Sequence, residues 1–234
     1  MKYIFSILVV LMAFKFIFYS PETPRTIGTN TNTEEKRKSD LLEFGLLAPH
    51  SLMENKILGD WGNEWWKWAY SFSDENSPIR DTTGKLSTLG QHGNIWFLAG
   101  SYSTNPIKRE VIIPLGKSIF FPIINSITTI EDGGTCKETI EDVNNNFNGQ
   151  NLYIEINGVE LNNVQQHFEI SQSCFSPFSN QNKTHISLGY WIAITSLPIG
   201  EHILKFGGTI GNFKQDITYK ITIVDKTSES LDIK

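Results

Sequence analysis

A chain of 234 residues that is 39% hydrophobic and 19% charged carries enough apolar material for a substantial core and too little charge to be disordered. The formal net charge is −5. Lys2 and Lys15 precede Pro21, which leaves 18 of the 20 basic residues against all 25 acidic ones beyond it, a balance that argues against a phosphate-tracking groove for nucleic acid.

Met1-Lys2 followed by an apolar run over residues 3–14 has the positive start and hydrophobic stretch of a secretory signal. Lys15 interrupts the run and residues 16–19 resume it. A cut after Ser20 would put Phe18 at the −3 position, where a small residue belongs. Residues 1–20 therefore read either as a signal peptide or as an N-terminal membrane anchor. Uncleaved, residues 3–19 would make about 25 Å of helix against a hydrocarbon core of about 30 Å, with Lys15 snorkelling. Both readings place the protein outside the cytoplasm, secreted or tethered to the membrane. Residues 21–40 hold Pro, Thr, Asn and the cluster Glu34-Glu35-Lys36-Arg37-Lys38 and read as a flexible linker. A single β-rich domain is expected over 41–227, with a short tail over 228–234.

The pattern predicts a helix over residues 60–72. Trp61, Trp65, Trp68 and Phe72 fall on one stripe behind Asp60 as N-cap, and the stripe should face the core. Trp66 lies off the stripe and, with Tyr190, is the ring expected at the surface. A second short helix is expected over 138–147.

Short β-branched or aromatic runs separated by Gly, Pro and Asn predict strands over 94–100, 110–113, 118–124, 152–156, 159–161, 168–171, 190–194, 202–206 and 217–224. Asn157-Gly158 between two of them signals a tight hairpin, because a type I′ turn needs positive φ at both positions. The expected fold is mostly β, a sandwich of jelly-roll or immunoglobulin-like type with one or two short helices.

Several motifs together carry a resemblance. They are Trp65-Trp66-Lys67-Trp68-Ala69, Asp81-Thr82-Thr83-Gly84, Gly90-Gln91-His92-Gly93 running into Asn94-Ile95-Trp96-Phe97-Leu98-Ala99-Gly100, and Pro114-Leu115-Gly116-Lys117 running into Phe120-Phe121-Pro122. Gly189-Tyr190-Trp191 and Pro198-Ile199-Gly200-Glu201-His202 follow. With these, residues 61–224 resemble a family of uncharacterised exported bacterial and archaeal proteins. The resemblance implies an exported β-rich fold and brings no reaction with it. Members typically carry further cysteines around the Asp-Thr-Thr-Gly segment, absent here. Their strand after the Pro-x-Gly turn often reads His-x-Ile-His, where this chain has His202-Ile203-Leu204-Lys205.

Cys136 and Cys174 are the only cysteines, and outside the cytoplasm such a pair reads as one disulfide; two buried thiols are the alternative, and the paired spacing of a zinc site is missing. His50, His92, His167, His185 and His202 show no metal-binding spacing, so neither a metal nor a cofactor is expected. Asp81 to Gly84 reads as a self-bonded Asx turn, or else as a carboxylate with hydroxyls for a metal or a sugar. Gln91 and His92 stand just before the most apolar strand, where a sheet rim would present them.

No Gly-x-Ser-x-Gly elbow, phosphate loop or dinucleotide fingerprint occurs. The expected function is an extracytoplasmic binding or interaction module for a glycan, peptide or envelope protein. Asp81, Gln91, His92, Trp66, Tyr190 and His202 are its candidate ligand-binding residues. Two other readings stand beside it. One is a hydrolase of extracellular polymer using two of Asp81, Glu110, Asp132, Glu155 and Glu169, which would have to lie within about 10 Å. The other is a structural protein that assembles through exposed aromatic surface.

Overall fold

Alternation of apolar and polar residues with period two is the dominant local pattern, and it folds as strands. The computed structural model describes residues 44–130, 134–143, 147–177, 183–195 and 197–225, all in one compact unit. The apolar N-terminal run, the linker over 21–40 and the tail over 228–234 lie outside the described residues.

Among those described, the short pair β1 (Leu52–Met53) and β2 (Lys56–Ile57) leads into helix α1 (Leu58–Ala69). Then come β3 (Ile95–Phe97), β4 (Ile107–Pro114), β5 (Ser118–Thr129), helix α2 (Cys136–Val143), β6 (Gln150–Ile156), β7 (Val159–Glu160) and β8 (Phe168–Ile170). The long strands β9 (His185–Ile194), β10 (Gly200–Ile210) and β11 (Phe213–Val224) complete the chain. Most strands outrun their expected bounds: β9 starts five residues before Tyr190, and β5 continues past Ile124 to Thr129.

Beside the β1–β2 ribbon there are two larger sheets, one ordered β4-β11-β10-β6-β7 and one ordered β3-β5-β9-β8. Pairing is antiparallel except for β4 with β11 and β3 with β5. Asn157 and Gly158 both take positive φ and join β6 to β7, as the Asn-Gly signal predicts.

Burial along the strands shows how the layers are covered. In β4, Ile107, Arg109, Val111 and Ile113 are buried while Lys108, Glu110 and Ile112 are exposed, so the five-stranded sheet has one dry face. In β9 all ten residues are buried, which requires cover on both faces. Ile119, Phe121, Ile192 and Ile194 join Val111, Ile113, Phe206 and Ile221 of the five-stranded sheet in one apolar core. Their neighbours Phe120, Trp191 and Ala193 point the other way and pack with Trp65, Trp66 and Trp68 of α1.

The helices differ from expectation at their ends. α1 starts at Leu58, so Asp60 sits in the first turn and is not the N-cap. The cap comes from the sheet instead. The Glu169 carboxylate accepts the Gly59 N–H at 3.0 Å, and Asp60 turns outward to accept the N–H groups of Gln172 and Ser173. α2 begins at Cys136 because Thr135 and Glu138 bond each other reciprocally in a capping box.

Cys136 and Cys174 form a disulfide with Cα atoms 5.9 Å apart, which ties α2 to the segment held by Asp60. No helix among the described residues is long and apolar enough to cross a membrane.

Candidate binding cleft

Trp61 and Glu64 lie on the outward side of α1, the edge of the buried Trp68 ring lies at the floor beside them, and two loops wall the space in. The β1–β2 ribbon brings Glu54 and Lys56 to one side, and residues 90–94 bring His92 to the other. Together with Phe97 they enclose a cleft of about 550 Å³. Gly90 fixes the second wall: it has a φ of 63°, and a Cβ there would come within 2.6 Å of the Phe72 ring.

The cleft is aromatic at its base and polar at its rim. Trp61 is half-buried, and its indole N–H donates to the Met53 carbonyl at 2.7 Å. The Lys56 ammonium lies 4.5 Å from the Trp61 ring centroid, a cation–π contact. Oε1 of Glu64 receives Lys56 at 3.1 Å and Lys67 at 3.2 Å. Burial pushes the Glu64 carboxyl upward, but these hydrogen bonds and the two lysine charges outweigh it and hold the group below the usual carboxylate range. Nδ1 of the exposed His92 lies 2.7 Å from the Gly90 carbonyl, so that nitrogen carries the hydrogen and Nε2 is left as an acceptor. The cleft thus offers a fixed indole, an ionised carboxylate, two ammonium groups and an imidazole acceptor.

Of the six ligand-binding residues expected from sequence, His92 alone lines this cleft. Asp81 makes the self-bonded turn. Its Oδ1 accepts the Thr83 N–H at 2.8 Å and the Thr83 hydroxyl at 2.7 Å, and its Oδ2 accepts the Leu86 N–H at 2.8 Å. Burial raises its pKa, but these bonds and the Arg109 charge hold it below the ordinary value. Gln91 extends the sheet edge: its amide donates to the carbonyls of Ser87 and Phe97, and its Oε1 accepts the Phe97 N–H.

Trp66 and Tyr190 are not surface rings. Trp66 is 6% exposed and stacks on Tyr70 at 5.1 Å. Tyr190 is 4% exposed, with its hydroxyl accepting the Gly149 N–H. Both are covered because α1 and β9 are packed on two sides. His202 is buried as well. Its Nε2–H donates to the Pro198 carbonyl at 2.8 Å and its Nδ1 accepts from Asn157 at 3.0 Å, which pins the Pro-x-Gly turn to the Asn-Gly turn.

Of the carboxylates named for hydrolysis, Asp81 and Glu110 lie in adjacent segments, the Glu110 N–H donating to the Thr83 carbonyl at 3.2 Å, but Asp81 spends both oxygens on its own turn, and the others are spread apart. Glu110 and Glu155 sit on β4 and β6, with β11 and β10 between them, a separation of about 14 Å at ordinary strand spacing. Glu169 lies under α1 in the other sheet, and Asp132 is outside the described residues. No group of three or more His, Cys, Asp or Glu among the described residues could hold a metal ion.

Sequence reasoning missed Lys56, Glu64 and Lys67, and it assigned Trp61 wholly to the core. The available signal was Glu64 with Lys67 at i, i+3 beside Trp61, which marks a polar flank next to the aromatic stripe.

No family model matches the chain, and no curated protein matches it. Among solved structures it is similar to the solution structure of amebosin, at 10% identity over 51% of this chain and 96% of that one, with a TM-score of 0.19. It is also similar to PbICP-C in complex with falcipain-2, at 9% identity over 56% of this chain and 100% of that one, with a TM-score of 0.26.

Proposed function

We propose that this chain is an extracytoplasmic binding module, its two larger sheets stacked as a jelly-roll or immunoglobulin-like sandwich, that recognises a glycan in the Trp61–His92 cleft. The observation that carries the reading is the convergence of a half-exposed indole with Glu64, Lys56, Lys67 and His92 around one concavity. A sugar presents an apolar ring face to such an indole and hydroxyls to the surrounding donors and acceptors. The Cys136–Cys174 disulfide suits an oxidising compartment, in keeping with secretion or with a membrane tether through the N-terminal run.

Binding is favoured over hydrolysis because a catalytic acid must keep its proton near neutral pH, and Glu64 is held in the opposite direction. Assembly through exposed aromatics has less support, since Trp61 is the one tryptophan of six that is not buried.

That distribution supplies the test. Iodide should quench Trp61 in preference to the other five, and oligomers of glucose or N-acetylglucosamine should protect it in a saturable way. Trp61→Ala should abolish binding measured by calorimetry. Protection by a peptide panel with none from sugars would sink the glycan reading, and protection by neither would remove the cleft as a binding site.

A further inference from the structure

A second groove, of about 440 Å³, shares no lining residue with the cleft. Its walls are Ile57, Ile140, Phe168 and Ile170, and Glu169 lies among them. The Glu169 side chain is 7% exposed. Each of its oxygens accepts one backbone N–H, from His50 at 3.1 Å and from Gly59 at 3.0 Å. A carboxylate has about four acceptor positions, so both oxygens keep capacity for another donor.

Nδ1 of His50, whose side chain is 70% exposed, stands 3.8 Å from Oε1, too long for a hydrogen bond and close enough for a loose, solvent-screened ion pair. Among the described residues no lysine or arginine pairs with Glu169. Asp60 is close enough to oppose its ionisation, and α2 contributes the apolar Ile140 to the groove wall. Burial outweighs the amide and His50 partners and raises the Glu169 pKa, so desolvation is only partly compensated, and a cation entering the groove would offset the remainder.

We propose that this groove binds an alkylammonium or alkylguanidinium group, with the charge on Glu169 and the stem against Ile57, Ile140, Phe168 and Ile170. The chemistry is that of a lysine or arginine side chain or of a free aliphatic amine. The site is independent of the glycan cleft.

The test is calorimetric titration of the folded protein at neutral pH with n-butylammonium, n-butylguanidinium and n-butanol. Both cations should bind, and the neutral alcohol should bind at least about tenfold more weakly, the loss expected when a charge-assisted hydrogen bond is replaced. Glu169→Gln should remove that preference. Because Glu169 also caps α1, a second variant is needed: Ile140→Lys, on the short surface helix, should fill the groove with its own ammonium and block the cations in a protein whose melting midpoint shows it to be folded.

Equal affinity for butanol and butylammonium would overturn the proposal. So would an absence of binding, or unchanged cation affinity in folded Ile140→Lys. A blocked peptide with one lysine, titrated in parallel, separates the sources: tighter binding than butylammonium assigns the groove to a protein side chain, and equal binding assigns it to a free amine. Trp61→Ala should leave every one of these titrations unchanged, so failure here and failure of the glycan reading are distinguishable.

Discussion

The Arg109 guanidinium and the Tyr219 hydroxyl share a single acceptor. Nη1 of Arg109 donates to the Ala99 carbonyl at 2.7 Å and to the Tyr219 oxygen at 2.7 Å, while the Tyr219 hydroxyl donates to the same carbonyl at 2.9 Å. Arg109 is 2% exposed and takes its remaining partners from the carbonyls of Gly100, Asp81 and Ile79. This buried guanidinium therefore holds the 79–81 turn and the 99–100 segment against β4 and β11.

Arg109→Lys should be severely destabilising, since an ammonium cannot span acceptors arranged for a planar fork and several carbonyls would be left unpaired. A loss of about 3 kcal/mol or more is expected from the urea midpoint. Tyr219→Phe should cost less, about 1–2 kcal/mol, because Arg109 still satisfies Ala99.

His167 should make folding sensitive to mild acid. Burial, partly opposed by a hydrogen bond to the Trp191 backbone and aided by His50, pulls its pKa from 6.5 down to about 4. Above pH 6.5 the ring is neutral in both states. As pH falls, the unfolded chain takes a proton that the folded chain refuses, so stability declines between about 6.5 and 4, by about 2 kcal/mol from pH 7 to pH 5. Urea unfolding at those two pH values should show this decline in the wild type and a flatter profile in His167→Gln.

The disulfide closes a loop with a sequence separation of 38. Chain-entropy arguments give it about 4 kcal/mol. The double variant Cys136→Ser, Cys174→Ser should lower the denaturant midpoint accordingly. Reductant should lower the wild-type midpoint by a similar amount and leave the double variant unaffected.

Gly62 lies where α1 packs directly on Trp191 and Ser187 of β9. A Cβ there would lie 2.6 Å from the Trp191 ring and 2.7 Å from the Ser187 hydroxyl, both fully buried. Gly62→Ala should destabilise by about 1–3 kcal/mol through overpacking, although alanine is the better helix former. A stable Gly62→Ala protein with an unchanged melting midpoint would show that α1 can lift from the sheet.

Local pattern alone located most of the strands, the Asn-Gly hairpin and the aromatic stripe of α1, because period and turn chemistry act between near neighbours. It could not say which rings stay covered. Strict alternation reveals one dry face, as in β4, but β9 is covered twice and reads simply as a run in which Tyr190 and Trp191 look alike. The capping of α1 by Glu169, the four-segment clasp of Arg109 and the meeting of His92 with Lys56 and Glu64 join residues far apart in the chain. No local spacing encodes such partners. They were decided when the sheets and α1 closed on one another and each buried polar group had to find its hydrogen bonds in whatever backbone the packing brought within reach.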